Sequence, residues 1–291
     1  MSPAPHLDHN HALENGWQAH LQLTLQTVHC ATGHARTVLG RCRHLGPLRI
    51  QRPFYPEGDL AHVYILHPPG GVVGGDQLRI DVDVKPKAQA LCTTPGCGKF
   101  YLSAAPLALF DQHLRVRSGA SLEWLPQENI LFAGARLQAR TCITVEDNGI
   151  FIGWDINCLG RPGSHERFEQ GTFHSRLMFY HNEKLILVEN QRVFSPQMLD
   201  SAAGLRGNPM QATLLAFPCE QHHLEHARSQ LTMTTPDAAK LSALTLVDGV
   251  LVMRVLGNNG EKLKRQLFNV WKTLRPLLLE RDALAPRIWA T

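Results

Sequence analysis

This 291-residue sequence lacks several features, and each absence removes a class of function. No apolar run approaches the roughly 20 residues needed to span a bilayer. The stretch from Met1 to Gly16 is polar, carries His6, His9 and His11, and has no apolar core of the secretory kind. It reads as a flexible tail ahead of a single domain over 17–291. Basic residues form no block or stripe, and the net charge of +4 is mild, so nucleic acid is not an expected partner. The 7 cysteines, at 30, 42, 92, 97, 142, 158 and 219, are odd in number and dispersed. They do not form a disulfide framework, and a reducing cytoplasm without membrane attachment is the expected compartment.

What is present is a 44% hydrophobic, 19% charged composition, enough for a sizeable core, with alternation as the dominant pattern. In Leu78-Arg-Ile-Asp-Val-Asp-Val84 the apolar side chains fall on one face and Arg79, Asp81 and Asp83 on the other, as in a half-buried strand. Residues 113–117, 137–145, 150–155, 172–180 and 185–189 read similarly, and in the last of these Glu189 shares a face with Leu185 and Leu187. Turn signals separate the segments at Lys85-Pro86, Ser118-Gly119, Asp147-Asn-Gly149 and His181-Asn182. Many short strands without intervening helices predict a mainly β protein. Helices are expected mostly in the last third, over 221–231 and from a cap at Asn258 or Asn259 to about Arg275, where Pro276 should end or kink the helix. Leu263, Leu267, Val270, Trp271 and Leu274 form its apolar stripe, expected to pack in the core. A hairpin is expected between those helices, turning at Asp248-Gly249. No internal repeat has a fixed period.

The glycine-rich segment His67-Pro-Pro-Gly-Gly-Val-Val-Gly-Gly-Asp76 invites comparison with a phosphate loop. Its spacing does not fit, and a strand rather than a helix follows it. Its prolines and glycines suit a tight, irregular turn. His222-His-Leu-Glu-His226 matches the inverted zinc-peptidase pattern, with His222 and His226 on one helical face and Glu225 as the base. A third ligand is not evident downstream, so a solvated polar helix is the simpler reading and a zinc hydrolase the alternative. Cys92 and Cys97 have poor spacing for structural zinc. Three acids stand at or beside apolar strand positions: Asp76, Asp155 and Glu189. Each needs pairing, water or a cation if it points inward.

Taken in order, the motifs resemble one family. The glycine-rich segment is joined by Gln51-Arg-Pro-Phe-Tyr-Pro56, Thr94-Pro-Gly96, Lys99-Phe-Tyr101 and Leu122-Glu-Trp-Leu-Pro-Gln-Glu128. Phe132-Ala-Gly-Ala135, Trp154-Asp155, Cys158-Leu-Gly-Arg-Pro162 and Glu166-Arg-Phe168 follow, then Val270-Trp271, Leu274-Arg-Pro276 and Pro286-Arg-Ile-Trp-Ala-Thr291. This set resembles the urease accessory protein D family (UreD, also called UreH). Glu166 lacks the preceding glycine of that pattern. The resemblance implies a stacked-sheet, β-helix-like scaffold with no catalytic activity and no tightly bound cofactor. It implies a urease maturation chaperone in the cytoplasm that binds apo-urease and UreF, which recruits the GTPase UreG. It further implies Ni²⁺ in transit past Asp76, Asp155 and Glu189. Weak carboxylate sites of that kind hold a divalent cation without trapping it.

Overall fold

The computed structural model describes residues 16–29, 33–104, 106–234 and 241–290. The expected N-terminal tail with His6, His9 and His11 lies, apart from Gly16, outside the described residues. Strands β1 (Gln18–His29) and β2 (Ala35–Leu45) are an antiparallel pair. They are followed by β3 (Arg49–Ile50), β4 (Ala61–Leu66), β5 (Gln77–Val84), β6 (Gln89–Thr93) and β7 (Gly98–Phe100). Next come β8 (Ala108–Val116), β9 (Ser121–Trp124), β10 (Asn129–Leu131), β11 (Arg136–Val145), β12 (Ile150–Arg161) and β13 (Glu166–Arg167). A hairpin of β14 (Thr172–His181) and β15 (Lys184–Val193) precedes helix α1 (Pro196–Asp200), β16 (Met210–Phe217) and α2 (Gln221–Thr234). The hairpin β17 (Ser242–Val247) and β18 (Val250–Gly257) leads into α3 (Gly260–Leu279).

The strands form two sheets. The first runs β15-β14-β11-β8-β5-β1-β2, with β1, β5, β8, β11 and β14 parallel. The second follows β17-β18-β16-β12-β9-β6-β4-β3, with β4, β6, β9 and β12 parallel. Successive strands alternate between sheets, β5 to β6, β8 to β9 and β11 to β12, so the chain winds as a β-helix-like solenoid. The expected mainly β, stacked architecture with mostly C-terminal helices is what the chain adopts. Each tight turn between the sheets contains a left-handed residue, Lys87, Gly119 and Asp147, at the positions where turn signals stand in the sequence. The turns also stack: Arg117 holds Asp83 of one coil at 2.9 Å and Glu146 of the next at 2.9 Å.

Two cores result. Between the sheets lie the inward residues of the parallel strands, among them Leu78, Ile80, Val82 and Val84, all buried as the alternation requires. The second core lies between the outer face of the second sheet and the helices. There Leu263, Leu267, Val270, Trp271 and Leu274 of α3 pack against Ile152, Leu214 and their neighbours. Burying each such side chain contributes about 1.5–3 kcal/mol. Asn259 caps α3, its side chain accepting from Lys262 N at 2.9 Å.

Two expectations need correction. Pro276 does not end α3, which runs on to Leu279; Glu280 then adopts a left-handed conformation and its N–H donates to Pro276 O. A proline in a last turn forfeits one bond, which the apolar packing of Leu274 upstream outweighs. Leu185 does not share the inward face with Glu189, because an irregularity opposite Phe179 and Tyr180 shifts the register. Leu185 is exposed and Leu187 buried. No helix among the described residues is long and apolar enough to cross a membrane.

Candidate functional site

The glycine-rich segment joins β4 to β5 and is pinned against the Lys99–Ser103 stretch. Val72 N donates to Lys99 O at 2.7 Å, Tyr101 N to Val72 O at 2.8 Å, and Tyr101 OH to Gly70 O at 3.0 Å. A Cβ on Gly74 would stand 1.7 Å from Ser103 Oγ, and one on Gly71 2.3 Å from the Tyr101 ring. The glycines therefore serve close approach of backbone. Asp76 closes the loop: its carboxylate accepts from Trp17 N at 2.8 Å and Val73 N at 3.0 Å, and the residue is 7% exposed. Both oxygens are thus turned onto backbone N–H groups, fastening the start of β1 to the loop.

The loop forms one wall of a partly open cavity of about 240 Å³, which His67, Pro69, Gly70, Lys99, Asn129 and Asp155 help to line. Burial lowers the His67 pKa more than the nearby Asp76 charge raises it, keeping the imidazole neutral and a nitrogen lone pair available. Asp155, on the inward face of β12, stands at the far end. Its Oδ2 accepts from Asn157 Nδ2 at 2.7 Å and its Oδ1 faces Asn129 Nδ2 at 3.4 Å. Burial pushes its pKa up, and the Asn157 hydrogen bond only partly opposes this. Its hydrogen bonds come from neutral amides rather than a cation, an arrangement that favours a visiting positive charge.

Asp155, Gln112 and Trp124 also line a second cavity of about 20 Å³ between the sheets. That is room for about one water-sized occupant. Its walls are mostly apolar, among them Ile143, Phe151, Leu177 and Leu215, and register explains the few polar groups set into them. In the first sheet Gln112 pairs with Thr141, Thr141 with Leu177, and Leu177 with Glu189. In the second, Asp155 pairs with Thr213 and Thr213 with Arg254. Two rows of inward positions thus face each other, and Gln112 Nε2 donates to Thr141 Oγ1 at 3.1 Å. Thr213 continues into a third cavity of about 410 Å³, lined by Gln191, Gln211 and Arg254. At the ends of the rows Glu189 and Arg254 form a two-pronged ion pair across the sheets, with Arg254 Nε 3.0 Å from Glu189 Oε2.

The structure therefore brings Asp155 and Glu189 onto one lane of inward positions, polar except for Leu177, and puts Asp76 to work in the loop beside it. Sequence reasoning gave no role to His67, Gln112, Thr141, Thr213 or Arg254. A signal for four of them existed, a polar residue at an inward position of an alternating strand, but each is unremarkable alone. His222 and His226 lie exposed on α2, where His226 Nδ1 donates to His222 O at 2.7 Å and Glu225 accepts from Gln221. No group of three or more His, Cys, Asp or Glu among the described residues is placed to hold a metal ion, so a zinc-hydrolase centre finds no third ligand there. The six described cysteines are free thiols, with Cys92, Cys158 and Cys219 pushed up to about 12 by burial.

Motifs distant in the sequence also meet. Glu123 accepts from Trp271 Nε1 at 2.6 Å and from Arg275 Nε at 2.9 Å in a buried cluster that includes Glu57 and His62. Trp289 Nε1 donates to Thr93 Oγ1 at 2.9 Å, and its ring lies 5.7 Å from that of Trp154. Glu166 pairs with Arg161 and accepts from Ala133 N at 3.0 Å.

Comparison with known proteins agrees with this pattern. The family model described as "UreD urease accessory protein" matches residues 18–290. A urease accessory protein UreD of Alcanivorax borkumensis is 46% identical over 276 residues, covering 95% of this chain and 93% of the relative. One from Pseudomonas putida (strain W619) is 42% identical, covering 95% of each chain. Another from Enterobacter sp. (strain 638) is 39% identical over 100% of both.

Proposed function

The chain belongs to the UreD family of urease accessory proteins and so has a role in urease maturation; from that premise we propose that it is a non-enzymatic chaperone delivering Ni²⁺ to apo-urease through its interior. In this reading it scaffolds UreF, and through UreF the GTPase UreG, on the urease subunits in the cytoplasm. GTP hydrolysis belongs to UreG, in keeping with a glycine-rich segment that is an irregular backbone passage followed by a strand.

The observation that carries the proposal is Asp155. It is an inward carboxylate held by amides, lining two adjoining cavities. A fully hydrated divalent ion would fill the larger cavity, and the constriction of about 20 Å³ requires it to exchange water for protein oxygens. Asp155, Gln112, Thr141 and Thr213 offer such oxygens in sequence, and Glu189 stands at the far end. The first four are weak sites, as a transit path needs, and Glu189 is paired with Arg254. His67 serves the loop end, and Asp76 holds the loop that shapes it.

The test is co-expression with the urease subunits, UreF and UreG, with nickel content and urease activity measured. We expect Asp155→Ala to assemble with its partners yet load little nickel. Full nickel content in Asp155→Ala urease, or full activation in the absence of this chain, would overturn the proposal.

A further inference from the structure

We propose that Arg254 is the gate of this lane: its guanidinium occupies Glu189 as a resident counter-ion and must leave before a divalent cation can be held there. The proposal rests on the transit reading above, and it explains why an acid on that path is already paired.

Glu189 and Arg254 come from different sheets. Glu189 lies on β15, the terminal strand of the first, and Arg254 on β18 of the second. Register places both on inward faces, at the ends of the rows that begin with Gln112 and Asp155. Their ion pair therefore spans the gap between the sheets where the polar lane ends. Thr213, beside Arg254, lines the narrow cavity on one side and the outer cavity on the other. The two partners are unequally buried: the Glu189 side chain is 15% exposed and that of Arg254 45%. A guanidinium that lets go swings into water, which solvates it at little cost, whereas Glu189 stays behind in need of a cation.

The exchange is balanced in charge and chemistry. Arg254 withdraws its two N–H donors and the carboxylate takes the incoming ion; the outer cavity beside Arg254 offers the Thr213 hydroxyl and the Gln211 amide oxygen, while Gln191 Oε1 already accepts from Gln211 Nε2. These are hard oxygen donors suited to a partly hydrated divalent cation. Arg254 remains nearby as a like charge, so its return weakens the cation's hold and moves the ion onward. A permanent cation at this point also excludes free ions until occupancy of the lane favours exchange. The competing role is a plain staple between sheet edges, which would contribute stability and nothing else.

The two roles separate in Ni²⁺ titration of the full-length chain followed by calorimetry, using Ni²⁺ alone as probe, with thermal unfolding in parallel. Arg254→Gln is expected to tighten or add a Ni²⁺ binding event by about fivefold, the scale of one ion pair removed from competition. Glu189→Gln/Arg254→Gln is expected to lose that gain. Arg254→Lys keeps the charge but holds the carboxylate through a single point, and should give a smaller gain with little loss of stability. Unchanged Ni²⁺ binding in both Arg254→Gln and Arg254→Lys, with only a lower unfolding temperature, would overturn the gate. Nickel loading of urease by Asp155→Ala decides the passage reading separately: impaired loading there, beside unchanged binding in the Arg254 variants, would leave a lane without a gate.

Discussion

Asp76, Asp155 and Glu189 are three acids that one-dimensional pattern places in the same class, and their surroundings give each a different task. Asp76 is satisfied by two backbone N–H donors, Asp155 by amide donors, and Glu189 by a guanidinium. Removing the Asp76 carboxylate leaves two backbone donors without an acceptor, a loss of about 1–3 kcal/mol. Replacing Asp155 with Asn removes a charge whose hydrogen bonds come only from neutral amides, so its effect should stay within about 1 kcal/mol in either direction. Asp76→Ala is therefore expected to lower the urea midpoint clearly and Asp155→Asn hardly at all; equal losses would show that the two acids do the same job. The acids themselves were legible, because a carboxylate beside an alternating apolar strand stands out. Their partners were not: Trp17 is 59 positions from Asp76, and Arg254 is 65 from Glu189.

At the scale of elements, α3 is fixed to the second sheet by more than its apolar stripe. Arg275 is fully buried, with Glu123 and Glu57 as its carboxylates and His62 on the other side of Glu57. Burial pushes Glu123 up against the pull of Arg275. Burial would raise Glu57 too, but hydrogen bonds from His62 and Arg275 overrule it and hold its carboxyl at about 2, below its ordinary 4.5. A carboxyl depressed in the folded state stabilises the fold above its unfolded pKa, and that stability is lost as the pH falls through the folded value. Stability is expected to decline between pH 4.5 and 2, and Glu57→Gln to flatten that decline. Urea midpoints measured across the range check it, and an unchanged acid limb in the variant would refute the assignment. The stripe itself was readable from Leu263 to Leu274 by helical spacing. The buried charges beneath it were not, since Glu123 and Arg275 are individually ordinary residues of a strand and a helix.

Across the whole molecule, stability runs along a solenoid in which each coil leans on its neighbours. The central strands β5, β8 and β11 are covered on both sides in the sheet, whereas β2 is an edge whose residues 40–45 are all exposed. Arg41, Arg43 and His44 on that segment also guard the edge against pairing with another chain. Hydrogen exchange should be slowest in β5, β8 and β11 and fastest in the second half of β2, and uniform protection would contradict the coil-by-coil picture. By itself the sequence determined the half-buried strands such as β5 and β11, through alternation, though not β4, β9 and β16, which are buried on both faces; the turns, through Ser118-Gly119 and Asp147-Asn-Gly149; and the family, through an ordered set of motifs. Each is carried by residues near one another in the chain or by fixed local spacing. The stacking of strands as coils was implied by the family resemblance and not by any repeat, because the connections that return to the first sheet, 67–76 and 94–107 among them, vary in length and hide the period. Only the tertiary structure brought Asp155, Thr213, Glu189 and Arg254 to one lane, because lateral register pairs residues a whole coil apart and burial then sets which charge stays uncompensated.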